Sequence, residues 1–378
     1  MVVLSVFAFL VFGVMLVLVG VHQAAIARDL ALGLGETGML AGALAFGAGF
    51  GITVAGPLYD RVSRGWLFAA SAALVAASLS SVHGEMTYLT AAARIAVAGV
   101  GAGAYNTVVN ASISERYGAA AARPLTGVHA SATLGAMAGP LVIAALGSNL
   151  HWTTSFRAVG LAHLLVAALA VALRGRYPAP HARALAERKP LSASYLPWLA
   201  IAFAYVALEA SVTTFAVPFA ARDLLLSPSR GQVAISTFWL GVLTSRLALM
   251  ALRHTKESNR GALVVVAGVV GAGMIAATAG GVLPVELSFG LFGASIGFVY
   301  PLTMVLIGSR FPESRGTATG LAGGAGAVGA VIVPWITGML GDARGVGFAV
   351  ASLASWCALI AVGGLWIARP APAATGAS

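Results

Sequence analysis

Glu209 is the one carboxylate near the middle of a long apolar run, and Tyr205, Thr213 and Thr214 flank it at near-helical spacing. An ionised carboxylate in hydrocarbon is unfavourable by several kcal/mol, so the group must be protonated, paired or open to water. Each of those states suits a proton-coupling or substrate-binding group; the other reading is a structural carboxylate hydrogen-bonded across a helix interface. Arg94 and Arg246 also fall inside apolar runs. A pair between Arg94 and Glu209 would give both charges a partner, whereas Arg94 alone can snorkel to the outer surface. His129 can titrate near neutral pH or serve as a packing residue. With one cysteine and seven scattered histidines, no HExxH, CxxC or GxSxG constellation appears. No enzyme, metal site or cofactor is expected, and with no nucleotide-binding motif no ATP dependence is expected.

The elements that hold these residues follow from composition. Of 378 residues, 59% are hydrophobic and 9% charged, where soluble domains carry about a quarter charged. An ordinary soluble enzyme is excluded. Apolar runs of about 20 residues, enough to cross hydrocarbon, recur along the chain without the alternation of barrel strands, which predicts an all-α polytopic membrane protein. Twelve spans are predicted near 3–23, 37–57, 66–84, 88–113, 126–146, 155–174, 195–221, 231–252, 261–281, 284–309, 317–340 and 347–368. The first run is read as a helix, not a cleaved signal, because no basic residue precedes it. The glycines of Arg94-Ile-Ala-Val-Ala-Gly99-Val-Gly101-Ala-Gly103 sit inside a span and predict close helix packing.

Sorted by side, 15 of the Lys and Arg residues lie on the even-numbered connections and the tail, and five on the other side. Both termini and the central loop are therefore expected in the cytoplasm. The net charge of +10 reads as lipid-facing loop charge, so the partners expected are the bilayer and a small-molecule substrate, with no nucleic acid. The expected location is a cell (plasma) membrane, of the bacterial inner-membrane kind, and the expected state a monomer. Two halves of six spans, 1–174 and 195–368, flank a cytoplasmic linker, 175–194, with a tail at 369–378. They match at a shift of about 194: Glu115-Arg116-Tyr117 over Ser309-Arg310-Phe311, and Gly135 with Pro140 over Gly329 with Pro334. Phe46-x-x-Gly49 is aligned with Phe238-x-x-Gly241 at a slightly smaller shift. Parallel repeats of this kind are typical of transporters that bind substrate between the halves.

The loop after the second span reads Gly56-Pro57-Leu58-Tyr59-Asp60-Arg61-Val62-Ser63-Arg64-Gly65. It resembles the major facilitator signature G-x-L-x-D-R-x-G-R, with Ser63 where glycine is usual. Gly56 suits a close helix approach, and Asp60 can face the positive N-terminus of a neighbouring helix. The resemblance implies that this neighbour is the eleventh span and that Gly56, Asp60, Arg61, Arg64 and Arg116 form a cytoplasmic gate. The gate would hold in the outward-facing state and break in the inward-facing one. Arg94 with its glycines resembles the family's fourth-helix motif. Tyr205-Val206-Ala207-Leu208-Glu209, then Phe238-Trp239-Leu240-Gly241 and Arg246, are similar to fucose-permease-like sugar:proton symporters, although the first span here lacks a carboxylate.

That family lines its cavity with helices 1, 4, 7 and 10, which nominates His22, Gln23, Asn106, Asn110, Tyr205, Glu209, Ser295 and Tyr300 as substrate-binding residues. Glu209 and Arg94 are the implied proton-coupling residues. Trp239 and Trp335 are read as packing or interface residues. The function implied is proton-coupled symport of a small sugar-like solute by alternating access. Gly127, Gly135, Gly139 and Pro140 partly match the motif of drug–proton antiporters, which keeps efflux of an amphipathic compound as the alternative. A solute-sensing receptor is the third reading.

Overall fold

Backbone surrounded by hydrocarbon has to satisfy its hydrogen bonds within each segment, and the apolar runs are helical accordingly. The computed structural model describes residues 1–147, 150–178, 193–251, 257–311 and 314–368. Most of the expected linker 175–194 and the whole expected tail 369–378 lie outside the described residues.

The helices are α1 (Val2–Val21), α2 (Gln23–Asp29), α3 (Leu34–Arg61), α4 (Arg64–Ser80), α5 (Tyr88–Tyr117), α6 (Ala122–Leu146), α7 (Trp152–Ala172), α8 (Leu196–Arg222), α9 (Pro228–Ala251), α10 (Glu257–Ala279), α11 (Val285–Ile296), α12 (Val299–Arg310), α13 (Arg315–Arg344), α14 (Val346–Ser352) and α15 (Ala354–Ile367). Among the described residues, ten segments are long and apolar enough to cross a membrane. The other two predicted spans correspond to α4, which is 17 residues long, and α5, whose 30 residues include Arg94, Asn106, Asn110 and Glu115.

Three spans predicted as single helices are interrupted. The first breaks at His22, and the twelfth at Leu353. The tenth breaks at Gly297–Phe298, where two other helices reach it: the Gly297 carbonyl accepts from Arg246 Nε at 3.2 Å and from the Tyr205 hydroxyl at 3.4 Å. A carbonyl turned toward side chains leaves the helical ladder, and irregular backbone inside a membrane bundle survives where it has such partners.

Two sets of helices repeat one packing scheme. In the first, α1 packs on α6, α3 on α5, and α4 on α7; in the second, α8 packs on α13, α9 on α11, and α10 on α15. Small residues bring these backbones together. A Cβ at Gly47 would fall 1.9 Å from the Ala96 carbonyl oxygen, and one at Gly241 would fall 2.1 Å from that of Gly290. Gly99 against Leu44 (2.3 Å) is matched by Gly293 against Phe238 (2.1 Å), and Gly135 against Leu10 (2.0 Å) by Gly329 against Phe203 (2.4 Å). The first two matches stand at a shift of 194 throughout. They correct the sequence alignment of Phe46-x-x-Gly49: the partner of Phe238-x-x-Gly241 is Leu44-x-x-Gly47.

The sets meet along α3 with α13, α6 with α9, and α1 with α8. Call the side with Met1, Arg61 and Arg315 the terminal side, and the side with Leu34 and Arg344 the distal side. On the distal side the sets are in backbone contact. A Cβ at Gly38 would lie 2.3 Å from Pro334 O, one at Gly338 2.2 Å from Leu34 O, and one at Gly20 2.0 Å from Thr213 O. Toward the terminal side they part, and a Cβ at Gly56, Gly127, Gly320 or Gly324 would meet nothing within 4 Å. The close approach expected of Gly56 is therefore not made in this state, because α3 and α13 have diverged before reaching it.

Candidate functional site

Between the sets lies a cavity of about 300 Å³. Its polar lining is Glu209, Thr213 and Thr214 of α8, Trp239 of α9 and Tyr300 of α12; Phe12, Leu16, Leu44, Ile52, Val206 and several Ala and Gly complete the wall. Among the described residues Glu209 is the only charged one in its wall. Among the described residues no group of His, Cys, Asp and Glu is placed to hold a metal ion.

Glu209 is paired. Arg246 Nη2 donates to Glu209 Oε1 at 3.1 Å and to the Tyr205 hydroxyl at 3.0 Å, and Tyr205 donates to Glu209 Oε1 one helical turn away. Tyr205 is stacked on Tyr300, their ring centroids 5.7 Å apart. The remaining donors of Arg246 go to the Gly297 carbonyl, at the α11–α12 break, and through Nη1 to Thr133 Oγ1 of α6 at 3.1 Å. One guanidinium thus ties the cavity carboxylate to the helix break and to the opposite set. Its fixed fork of donors fits several acceptors at once, which a point-charge ammonium does less well.

The structure does not bring Arg94 to Glu209. Arg94 lines a separate recess with Ser78, Leu89, Thr90, Ala93 and Val97, because its turn of α5 faces α4. Its backbone carbonyl accepts from Ser78 Oγ at 2.6 Å. The arginine paired with Glu209 is instead Arg246, which the sequence marked as a charge inside a span.

The other nominees divide. Glu209 and Tyr300 line the cavity, and Tyr205 lies behind them, 1% exposed. His22 and Gln23 are buried at the distal end, where His22 Nε2 and Ser155 Oγ are 2.8 Å apart and Gln23 Nε2 donates to Thr37 Oγ1 at 3.0 Å. Their place just past the end of α1 puts them beyond the closed end of the cavity. Asn106 and Asn110 are joined by an Nδ2–Oδ1 hydrogen bond of 2.7 Å, and Asn110 Oδ1 lies 3.0 Å from His129 Nε2. This chain bridges α5 and α6 within one set. Ser295 bonds its own helix, donating to Phe292 O.

Trp239, expected to be a packing or interface residue, is packed in the core against Phe238 and also lines the cavity. Its Nε1, like Thr213 Oγ1, is buried with no hydrogen-bond partner among the described residues. Fragments of the signal for this were present, since both residues flank Glu209 or its arginine in the chain, but only the fold turns α8 and α9 toward one space.

The expected gate residues are apart from α13. Arg64, 2% exposed, donates to Glu115 Oε2 at 2.7 Å and lies over the Tyr59 ring at 4.1 Å. Tyr59 itself donates to Glu115 Oε2 at 3.2 Å. Arg116 donates to the Arg176 carbonyl at 3.1 Å, and Arg61 is exposed. Asp60 has no hydrogen-bond partner among the described residues. The gate cannot form where α3 and α13 are splayed, so Arg64 is held inside its own set.

Known folds can now be set beside this one. The chain superposes on a bacterial homologue of the human lysosomal transporter Spinster in an inward-facing, unoccupied conformation, with a TM-score of 0.77, 14% identity, and coverage of 97% of this chain and 96% of that one. The inward-open xylose transporter XylE from E. coli gives a TM-score of 0.75 at 15% identity, covering 100% and 97%. The nucleoside transporter NupG gives 0.72 at 16% identity, covering 97% of each chain. No curated protein sequence matches the chain. Residues 3–208, more than half of the chain, match the Major Facilitator Superfamily, and the protein belongs to that superfamily of multi-pass membrane transporters, which are not enzymes.

Proposed function

We propose that this secondary transporter carries a small amphipathic solute by alternating access, coupled to protons through Glu209. Twelve segments would span the membrane with both termini cytoplasmic, and residues 1–174 would rock against 195–368 around the central cavity. With that orientation the present state is inward-open. The single observation that carries the reading is a cavity whose one carboxylate among the described residues, Glu209, is bridged by Arg246 to the opposite set.

The lining favours an amphipathic cargo over a sugar. Every hydroxyl of a sugar taken out of water needs a hydrogen-bond partner or costs free energy. This cavity offers a carboxylate, two threonines, an indole and a phenol against an otherwise apolar wall, and the amides Asn106 and Asn110 are engaged with each other and His129. The unpartnered Trp239 Nε1 and Thr213 Oγ1 would serve an oxygen acceptor on the solute.

Coupling follows from competition for Arg246. A lone carboxylate in the bundle is costly, so Glu209 holds either Arg246 or a proton. Rocking the sets apart at α6 and α9 pulls Arg246 away from Thr133 and changes which of the two Glu209 holds. The test is flux in proteoliposomes under an imposed pH gradient, with radiolabelled tetraphenylphosphonium, benzoate and xylose as probes. Gradient-driven movement of an amphipathic probe that stops in Glu209→Gln is expected. Accumulation of xylose alone would return the cargo to a sugar, and flux indifferent to both gradient and substitution would remove Glu209 from coupling.

A further inference from the structure

Among the described residues the distal closure contains one charged side chain that bonds from one set to the other. Asp342, two residues before the end of α13, accepts from the Leu34 amide through Oδ1 at 2.9 Å and from the Gly35 amide through Oδ2 at 2.8 Å. Leu34 and Gly35 open α3, so these are first-turn N–H groups with no partner inside the helix. The N-cap residue is Gly33, which has no side chain to cap them. A Cβ on Gly33 would stand 2.9 Å from Asp342 Oδ2, so glycine is what leaves the carboxylate its seat. The anion also meets the positive end of the α3 dipole. Beneath it, Gly38 and Gly338 keep the backbones of α3 and α13 in contact.

The two helices run antiparallel, and the arrangement is reciprocal. α3 ends Asp60-Arg61 on the terminal side, where α13 begins; α13 ends Asp342-Ala343-Arg344 on the distal side, where α3 begins. The N-cap of α13, Ser314, makes no side-chain cap bond, and Asp60 is without a partner among the described residues. Each helix therefore carries an acid at its end that matches the uncapped start of the other. In this state one of the two matches is made.

We propose that Asp342 is the distal latch of the transport cycle, a positioning residue that holds the distal side shut by capping α3. Its counterpart is Asp60, to which the family resemblance already gives the capping of the eleventh span when the terminal side shuts; what is new is the exchange between the two. The sets rock about the crossing of α3 and α13, so the two caps are mutually exclusive. The proposal concerns the gate and not the cargo, so it stands or falls separately from the flux assay.

The experiment is electron–electron double resonance on full-length protein in nanodiscs, with spin labels at His83→Cys and Val282→Cys, both exposed distal-loop positions of opposite sets. Native Cys357 is buried and does not compete for label. Asp342→Asn is expected to raise the ratio of long to short distal distances about three- to tenfold. Asp60→Asn should lower it, and the double variant should return toward wild type. A merely structural role would depress melting without moving the ratio. Should Asp342→Asn not fold, Asp342→Ser, whose shorter side chain withdraws both acceptors from the Leu34 and Gly35 amides, carries the same expectation. An unchanged ratio in folded Asp342 variants, or shifts of the same sign from Asp60→Asn and Asp342→Asn, would overturn the proposal.

Discussion

Replacing Arg246 by methionine keeps much of the side-chain volume and removes the charge. In the native protein Nη2 stands 3.1 Å from Glu209 Oε1, with the side chains 29% and 15% exposed. At that distance and an effective dielectric constant of about 20, the direct attraction is about 5 kcal/mol. Desolvation takes back a large part of it, and truncating one partner of such a pair typically costs about 3–5 kcal/mol, because the other charge is left uncompensated. We expect Arg246→Met to lose about 3–4 kcal/mol and Glu209→Gln about 1–2 kcal/mol, since the glutamine still accepts from Tyr205 and Arg246. The double variant leaves no charge in the cavity wall or beside it and should be more stable than Arg246→Met alone, with a coupling of about 2 kcal/mol. At about 2–4 °C per kcal/mol for a domain the size of one half, Arg246→Met should melt about 6–16 °C below wild type. The assay is thermal unfolding of the four proteins in one detergent, read by intrinsic fluorescence. If the double variant melts at the sum of the two single shifts, Glu209 and Arg246 are energetically independent and the coupling scheme loses its basis.

Gly47→Val and Gly241→Val each force a side chain into a carbonyl oxygen about 2 Å away, and both should cost about 3 kcal/mol or more, read as lost monodisperse protein on size-exclusion chromatography. Gly56→Leu and Gly320→Leu meet open space in this state; melting should change little while transport falls at least tenfold, because the alternate state brings α3 and α13 together there. Trp239→Phe and Thr213→Val remove buried polar atoms that lack partners. Stability should hold or rise slightly, while the Kd of a transported amphipathic probe should weaken by about tenfold, the size of one hydrogen bond's loss, in an equilibrium binding titration. Arg64→Met loses the 2.7 Å bond to Glu115 and the Tyr59 face, for an expected decrease of about 1–2 kcal/mol in chemical-denaturant stability.

How much of this was legible in the chain depends on whether a property is local. Helix existence was legible because it depends only on apolar length. The repeat was legible in outline, but runs such as Phe46-Gly47-Ala48-Gly49 offer several near-equal alignments, and only the contact of Gly47 with Ala96 selects the register that Gly241 and Gly290 repeat. Glu209 announced itself by being a carboxylate in the wrong solvent. Its partner did not, because Arg94 and Arg246 are equally conspicuous in sequence and the choice depends on which face of α5 or α9 turns inward. The break at Gly297 was invisible for a related reason: the two side chains that bond to it come from other helices, not from its own neighbours.

The two aspartates on α3 and α13 show the same limit from the other side. Asp60 sits among glycine and arginine residues at fixed spacing, and that context marks it in the chain. Asp342, with the same place at the end of its helix, has no such context and reads as an ordinary loop charge. Yet in this state Asp342 makes the bonds and Asp60 has none among the described residues. A signature records the residues that one state needs side by side along the chain. The opposite state is held by contacts between segments more than 300 residues apart, and only the fold, through the antiparallel run of α3 beside α13, makes the second aspartate the counterpart of the first.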